Sequence, residues 1–444
     1  MLPDLAPPKD PSINKLPLNE GQQAAADGFF EFLMGNEKEL IISGPGGVGK
    51  TFLMGHLIDS IMPRYFQACK VMGVEPEYDE VVMTATTNKA AEVLSDNTGR
   101  PTETIHSFLG LRVQDDYSTG RSKLIKTKSW QVHSKKIIFI DECSMIDNPL
   151  RNHILEGTHQ SKVVYVGDHC QLAPVMEVLS PIYKAGLPFF NLTQPMRTDN
   201  PALLAANQQL RETVETGVFE PIQIVPGVID HLSGDEMQDL IDQMFKNVDV
   251  EGRLLAYTNK TVVAYNEYIR DLRGLPKDYG IGEVLINNSG IQLPKGMLRV
   301  EEELTIVDLS DDTEDVLIDP GEKVYLTVVR ATLRNKYQEM YYNVPLPVDR
   351  KHHTDLAKYY WRLKDYTKYF HLKNSYPDLR PRDSSTVHKA QGSSHNITLI
   401  DLDDLSSCHN PDLAARLLYV GFTRARHRVV LYGKLADKYG GLKF

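Results

Sequence analysis

Residues 39–62 read ELIISGPGGVGKTFLMGHLIDSIM, and this stretch decides the fold. ELIIS (39–43) is a short apolar run of the strand type, and FLMGHLIDSIM (52–62) has the pattern of an amphipathic helix. Between them GPGGVGKT (44–51) is the full G-x-x-x-x-G-K-T pattern in a strand–loop–helix setting. Glycines let the backbone curl so that successive N–H groups aim at phosphate oxygens, aided by the helix N-terminus. The pattern predicts that Gly44, Pro45, Gly46, Gly47, Val48 and Gly49 cradle the phosphates of a nucleotide. Lys50 then reaches the β and γ phosphates, and Thr51 offers its hydroxyl to Mg2+. A plain glycine-rich turn is the alternative, and it leaves the flanking strand and helix unexplained.

Outward from this loop, the first ~200 residues alternate apolar runs with amphipathic stretches, the pattern of strands joined by crossover helices. EVVMTAT (80–86), KIIFID (136–141) and KVVYVG (162–167) are apolar on consecutive positions, as strands buried on both faces of a parallel sheet are. KIIFIDECSM (136–145) ends its strand in two acids. Asp141 suits Mg2+ and Glu142 suits polarising a water that attacks phosphate. Adjacent acids can also be solvated turn residues, and the phosphate loop is what favours the catalytic reading. VVYVGDHCQLAPV (163–175) raises the same choice. Asp168 and Gln171 either cap a turn or serve the nucleotide, since an amide can donate to phosphate without adding a competing charge.

Farther along, helical patterns dominate from 198 to 270, with the strand candidate RLLAYT (253–258) among them. Residues 280–348 read as short strands of a separate module, and YYWRLKDYTKYFHLKN (359–374) is rich in aromatics and cations. The α/β style returns after 384 with ITLIDL and RVVLYG. The expected organisation is a flexible lead-in over 1–17 and a first core over 18–197. A second core spans 198–279 and 380–444, with a β-rich insertion at 280–379. No internal repeat is evident at the level of motifs beyond the two cores themselves.

The bulk numbers fit a soluble protein of several domains. The chain has 444 residues, 41% hydrophobic and 24% charged, and no apolar run nears a membrane span. Its four cysteines, Cys69, Cys143, Cys170 and Cys408, form no CxxC pair, so a cysteine metal site is not expected and a reduced, cytoplasmic setting is. A net charge of −10 argues against nucleic acid only in sum, because binding depends on where cations lie. Residues 121–136 carry only basic charges, 350–382 are also rich in cations, and acids gather in 301–322.

Seven further segments carry a resemblance: LNEGQQAA (18–25), TATTNKAAEVL (84–94), TIHSFLG (104–110), LTQPMR (192–197), AYTNKTVVAYN (256–266), STVHKAQGSS (385–394) and LLYVGFTRAR (417–426). In this order they resemble the superfamily 1B (RecD-like) DNA helicases of the phage Dda type. The resemblance implies an α/β fold of two tandem RecA-like P-loop cores. A β-hairpin pin is inserted in the first core and a small β-barrel in the second. It implies that Gln22 reads adenine, Gln171 senses the γ-phosphate, Gly392 touches nucleotide, and Arg197 and Arg424 are arginine fingers. It also implies a DNA track of Thr87, Asn88, Lys89, His106, Ser107, Phe108, Asn259, Thr386, His388 and Lys389. Asn88 stands where the family often has glycine.

Residues 111–135, with Ser-Thr-Gly near their centre, read as a hairpin. By resemblance this is the strand-separating pin with Tyr117 at its tip, and the alternative is a solvated basic hairpin. Segment 359–374 is then the extension that reaches toward it. The expected activity is ATP- and Mg2+-dependent 5′→3′ translocation on single-stranded DNA with duplex unwinding, in replication, recombination or repair. Expected partners are DNA junctions and a single-strand-binding or replication protein, in a bacterial or phage-infected cell. Two rivals stand beside it: an RNA helicase or nucleoprotein remodeller, and a non-unwinding ATPase subunit of a recombination complex.

Overall fold

The computed structural model describes residues 17–174, 177, 179–194, 200–247 and 251–444. The expected lead-in therefore lies, but for its last residue, outside the described residues, and so does Arg197.

The consecutive apolar runs form a sheet covered on both faces. In the first lobe six parallel strands lie in the order Thr102–Thr104, Glu80–Ala85, Ser134–Asp141, Gln160–Gly167, Glu39–Ser43, Phe189–Asn191. Their side chains alternate between two cores. Leu40, Ile42, Ile137, Phe139, Val164 and Val166 meet the helices Glu20–Met34 and Met62–Met72. Ile41, Ile138, Ile140, Val163 and Tyr165 face the helix Asn148–Gly157 on the other side. One strand position breaks the apolar rule. Lys162 is fully buried, and its ammonium donates to the carbonyls of Phe32, Gly35 and Glu37, where the first helix ends with its carbonyls unpaired.

The second lobe repeats the plan with five parallel strands: Ile229–Leu232, Ala425–Tyr432, His395–Asp401, Gly252–Ala256 and Ser384–Thr386. Helices Pro201–Thr216 and Pro411–Thr423 share one core against it, and Gly234–Phe245 and Asn259–Leu272 share the other.

Between helix Asn259–Leu272 and strand Ser384–Thr386 the chain makes a five-stranded antiparallel sheet, with the ribbon Ile291–Gln292/Met297–Leu298 beside it. The sheet is bent by bulges in its long strand Glu303–Asp319, and its edge strands Met340–Pro347 and Leu379–Pro381 are not paired with each other. The last strand of the module is Leu379–Pro381, paired with Val284–Asn287. The far ends of the long strands carry the helices Arg350–Arg362 and Tyr366–Ser375, sealed by Ile318, Leu326, Val328, Leu356, Tyr360 and Leu372.

The first-lobe hairpin also forms: Leu111–Asp116 pairs with Arg121–Lys126 around a turn at 117–120. It does not stand free. The Tyr117 ring meets Phe370 edge-on at 4.9 Å, Asn374 donates to Asp115 at 2.7 Å, and Lys373 pairs with the same carboxylate at 3.5 Å. The 359–374 extension thus reaches the hairpin.

Candidate active site

The phosphate loop folds as its glycines allow. Gly47 and Gly49 take positive φ of 87° and 78°, and a Cβ at Gly44 would run into the Leu192 carbonyl. Lys50 Nζ donates to Gly44 O at 2.7 Å and Pro45 O at 3.0 Å, which holds the ammonium over the loop mouth. A cavity of about 970 Å³ opens from there. The first lobe lines it with Gly46, Gly47, Gly49, Lys50, Thr51, Asp141, Glu142 and Gln171, and the second with Gln391, Gly392 and Arg424. Pro45 and Val48 line a separate space of about 60 Å³ against helix Pro201–Thr216.

Asp141 ends its strand, and Glu142 follows with a positive φ of 54°. Burial raises both carboxyl groups above their usual range, Glu142 to about 7, with the neighbouring Asp141 adding to the rise. Glu142 Oε2 and Gln171 Oε1 are buried without hydrogen-bond partners among the described residues. Such orphaned oxygens beside a phosphate loop suit a polar ligand arriving with water and a cation. The buried Arg424 guanidinium donates to Val420 O at 3.2 Å and Ser393 O at 3.0 Å. Gly392, at φ 78°, leaves room for Glu142 Oε1 3.9 Å from where its Cβ would be.

Gln22 is fully buried with both ends of its amide engaged. Its Nε2 donates to Val48 O at 3.1 Å, and its Oε1 accepts from Asn19 N in a capping box. It therefore braces the phosphate loop in this structure rather than lining the cavity.

Asp168 resolves between the roles left open for it. Its Oδ1 accepts from Cys170 N, the turn-capping bond, and also from Arg211 Nη1 at 2.8 Å. Its Oδ2 accepts from Tyr419 OH at 2.7 Å. Arg211 and Tyr419 belong to the second lobe, so this fully buried carboxylate ties the lobes together, and the paired guanidinium keeps its pKa low against burial. Around it His169 Nδ1 meets Ser43 Oγ at 2.9 Å and its Nε2 meets Glu215 at 3.1 Å. Asp168, His169 and Cys170 stand close enough to ligate a metal, but the Arg211 guanidinium already occupies their company. Gln391 Nε2 adds another bond between lobes, to Ser144 Oγ at 3.1 Å.

Sequence reasoning missed Arg211, Arg416, Tyr419 and Gln391 as linking residues. The signal for Arg211 was a cation on the buried stripe of Leu203, Ala206 and Leu210. Tyr419 and Gln391 lay inside quoted motifs with no role given.

The expected DNA residues fall into a repeated arrangement that the sequence also displays. Thr87-Asn88-Lys89 and Thr258-Asn259-Lys260 each join a strand to a helix, with the threonine hydroxyl capping that helix. On the neighbouring parallel strand of each lobe, Thr104-Ile105-His106-Ser107 and Thr386-Val387-His388-Lys389 do the same. The residue patterns T-N-K and T-x-H thus occur once per lobe at matching places, a repeat that follows the two cores themselves. Lys89, Asn259, Thr386 and Lys389 also line the cavity, and Asn88, Ser107, His388 and Lys389 are exposed. Phe108 is the outlier, because its ring stacks on His133 at 3.9 Å and packs against the first-lobe core.

Two lobes of one topology, with a phosphate loop on one and an arginine across the cleft on the other, define a two-lobed P-loop ATPase of the helicase type. Residues 17–222 match the family model of the AAA domain, and 383–432 match the UvrD-like helicase C-terminal domain. The chain is 24% identical to the ATP-dependent DNA helicase dda of Enterobacteria phage T4, over 93% of this chain and 98% of that one. It is 21% identical to an uncharacterized protein of Acanthamoeba polyphaga mimivirus, over 93% of this chain and 99% of that one. The Bacteroides Pif1 helicase, solved with ADP-AlF3 and single-stranded DNA, matches with a TM-score of 0.50 at 15% identity, over 97% of this chain and 95% of that one. The resemblance to the Dda-type helicases of superfamily 1B thus extends over nearly the whole chain, and the fold is that of tandem RecA-like cores.

Proposed function

We propose that this chain is an ATP-dependent DNA helicase that moves 5′→3′ along single-stranded DNA and parts duplex at the hairpin 111–126. The observation that carries the reading is the single cleft in which Lys50, Asp141 and Glu142 face Gln391, Gly392 and Arg424 of the other lobe. Hydrolysis builds charge on the γ-phosphoryl group, and cations held on two separate lobes stabilise it only when the cleft is closed. Glu142, as carboxylate, orients and polarises the attacking water. Thr51 and Asp141 are the residues that would hold Mg2+, which when bound neutralises the terminal phosphates. Gln22 is read as the adenine contact, which requires it to exchange a present bond, and Arg197 as a second finger.

The T-N-K and T-x-H junctions give each lobe its grip on the strand, mostly through phosphate. The polarity and a replication, recombination or repair role in the cytoplasm, alongside a single-strand-binding protein, follow from the Dda-type resemblance. No helix among the described residues is long and apolar enough to cross a membrane. The deciding experiment is ATP-driven unwinding by the isolated chain of a 5′-tailed duplex against a 3′-tailed control. Unwinding of the 5′-tailed substrate alone is expected, and unwinding of the 3′-tailed one alone would reverse the polarity. ATPase stimulated by RNA and not by DNA would replace the substrate.

A further inference from the structure

One four-residue turn of the first lobe, Asp168 to Gln171, is held by four side chains of the second, Glu215 meeting His169 at 3.1 Å among them. Arg211 and Tyr419 grip the Asp168 carboxylate at its root. At its far end Arg416 Nη1 donates to two backbone carbonyls, His169 O and Gln171 O, each at 2.6 Å. The side chain presented there, Gln171, is buried, lines the nucleotide cleft and keeps Oε1 unpartnered. Arg416 and Tyr419 stand one turn apart on helix Pro411–Thr423, and Arg424 is the C-cap of that same helix. Eight residues at about 1.5 Å each make this a lever of ~12 Å with the turn's clamp at one end and the finger at the other.

We propose that Arg416 is a positioning residue for the ATPase. It transmits movement of the second lobe to Gln171, so that the amide and the Arg424 guanidinium reach the nucleotide together. The proposal rests on the reading of the cleft as an ATP site closed by lobe motion. A guanidinium bonded to two carbonyls holds the peptide backbone, not another mobile side chain, and its bonds are charge-assisted. What it displaces is therefore the whole turn. Asp168, anchored by Arg211 and Tyr419, serves as the pivot, and a small rotation there is felt at Gln171 three residues on. Arg211, Glu215 and Tyr419 already bind the turn to the second lobe, so a fourth clamp placed on its carbonyls has no purely adhesive need.

The test is a double-mutant cycle on single-strand-stimulated ATPase, reading kcat and KM for ATP separately. Arg416→Met keeps the packing of the stem and removes the donors, while Arg416→Lys keeps charge and a donor. In Arg416→Met, kcat is expected to fall roughly tenfold or more with KM within about twofold, and Arg416→Lys to recover part of kcat. Gln171→Ala combined with Arg416→Met should be no slower than Gln171→Ala alone, because both act through one group. Multiplying losses in the double variant, or wild-type kcat in Arg416→Met, overturns the proposal. Should Arg416→Met melt below the assay temperature, the same cycle run with Arg416→Lys decides by the same criterion. A wild-type chain without DNA-stimulated ATPase would instead remove the helicase reading, and that outcome appears in the unmutated control.

Discussion

Glu142 occupies a backbone conformation that residues other than glycine rarely adopt, beside an acid and a lysine, with one carboxylate oxygen unbonded. Strain of this kind is tolerated where it aims a side chain, and here it turns the carboxyl into the cleft. Its pKa near 7 sets the pH behaviour. The carboxylate is protonated below that value, so DNA-stimulated ATPase should climb as pH rises from 6 to 8. Glu142→Gln should lower kcat by on the order of 10²-fold or more and remove this limb of the profile. The stability sign is opposite. A carboxyl raised in the fold costs stability as pH rises from its unfolded value of 4.5 through about 7. Glu142→Gln should therefore melt higher than the parent at pH 8, with the gap closing by pH 5. Lys50→Ala should abolish ATPase, while a fluorescence-anisotropy titration shows single-strand binding within about threefold of the parent. Lys50 was legible because a phosphate loop demands its groups at fixed spacing along one turn, and Glu142 because two acids end an apolar strand. Arg211, Arg416 and Tyr419 were not, since their partners lie 43, 245 and 251 positions away.

At the scale of elements, the hairpin was readable from its turn, and its docking only through the resemblance that sends 359–374 toward it. Gly120 shows why the docking matters. It sits at φ 67°, and a Cβ there would overlap the Tyr366 ring at the start of helix Tyr366–Ser375. Gly120→Ala should push the turn off that helix without touching the cleft. Unwinding of a 5′-tailed duplex should then slow several-fold, while ATPase on single-stranded DNA stays within about twofold of the parent. Equal loss of both would mean that the hairpin supports the lobe and not strand separation. Tyr117, 55% exposed with its edge on Phe370, is braced by the same helix. Nothing in residues 111–126 announces the partner helix, because the complementarity is spread over Asp115, Tyr117 and Gly120 on one side and Tyr366, Phe370, Lys373 and Asn374 on the other.

For the whole molecule, net charge misled less than it threatened to. The cations proposed to meet the strand are few and sit just past strand ends, in a chain of net charge −10. Affinity for single-stranded DNA should fall with a log–log salt slope of roughly −2, about −0.7 for each of some three lysine–phosphate contacts, measured by titration between low and moderate salt. A slope near zero would remove Lys89, Lys260 and Lys389 as phosphate contacts. The tandem cores were legible from recurring strand patterns; the equivalence of these junctions, the proposed grips, became visible only when the sheets aligned T-N-K with T-N-K and T-x-H with T-x-H.

That alignment leaves one asymmetry. Where the second lobe has Lys389 the first has Ser107, so the two hands are cut from one pattern but one wears an extra charge. A ratchet whose two pawls are otherwise alike takes its direction from whichever releases later, and the charged pawl is the one that dissolved ions loosen first. Rising salt should thus do more than weaken the hold on DNA: it should bring the two pawls toward parity, so that ATP goes on being spent while the strand slips.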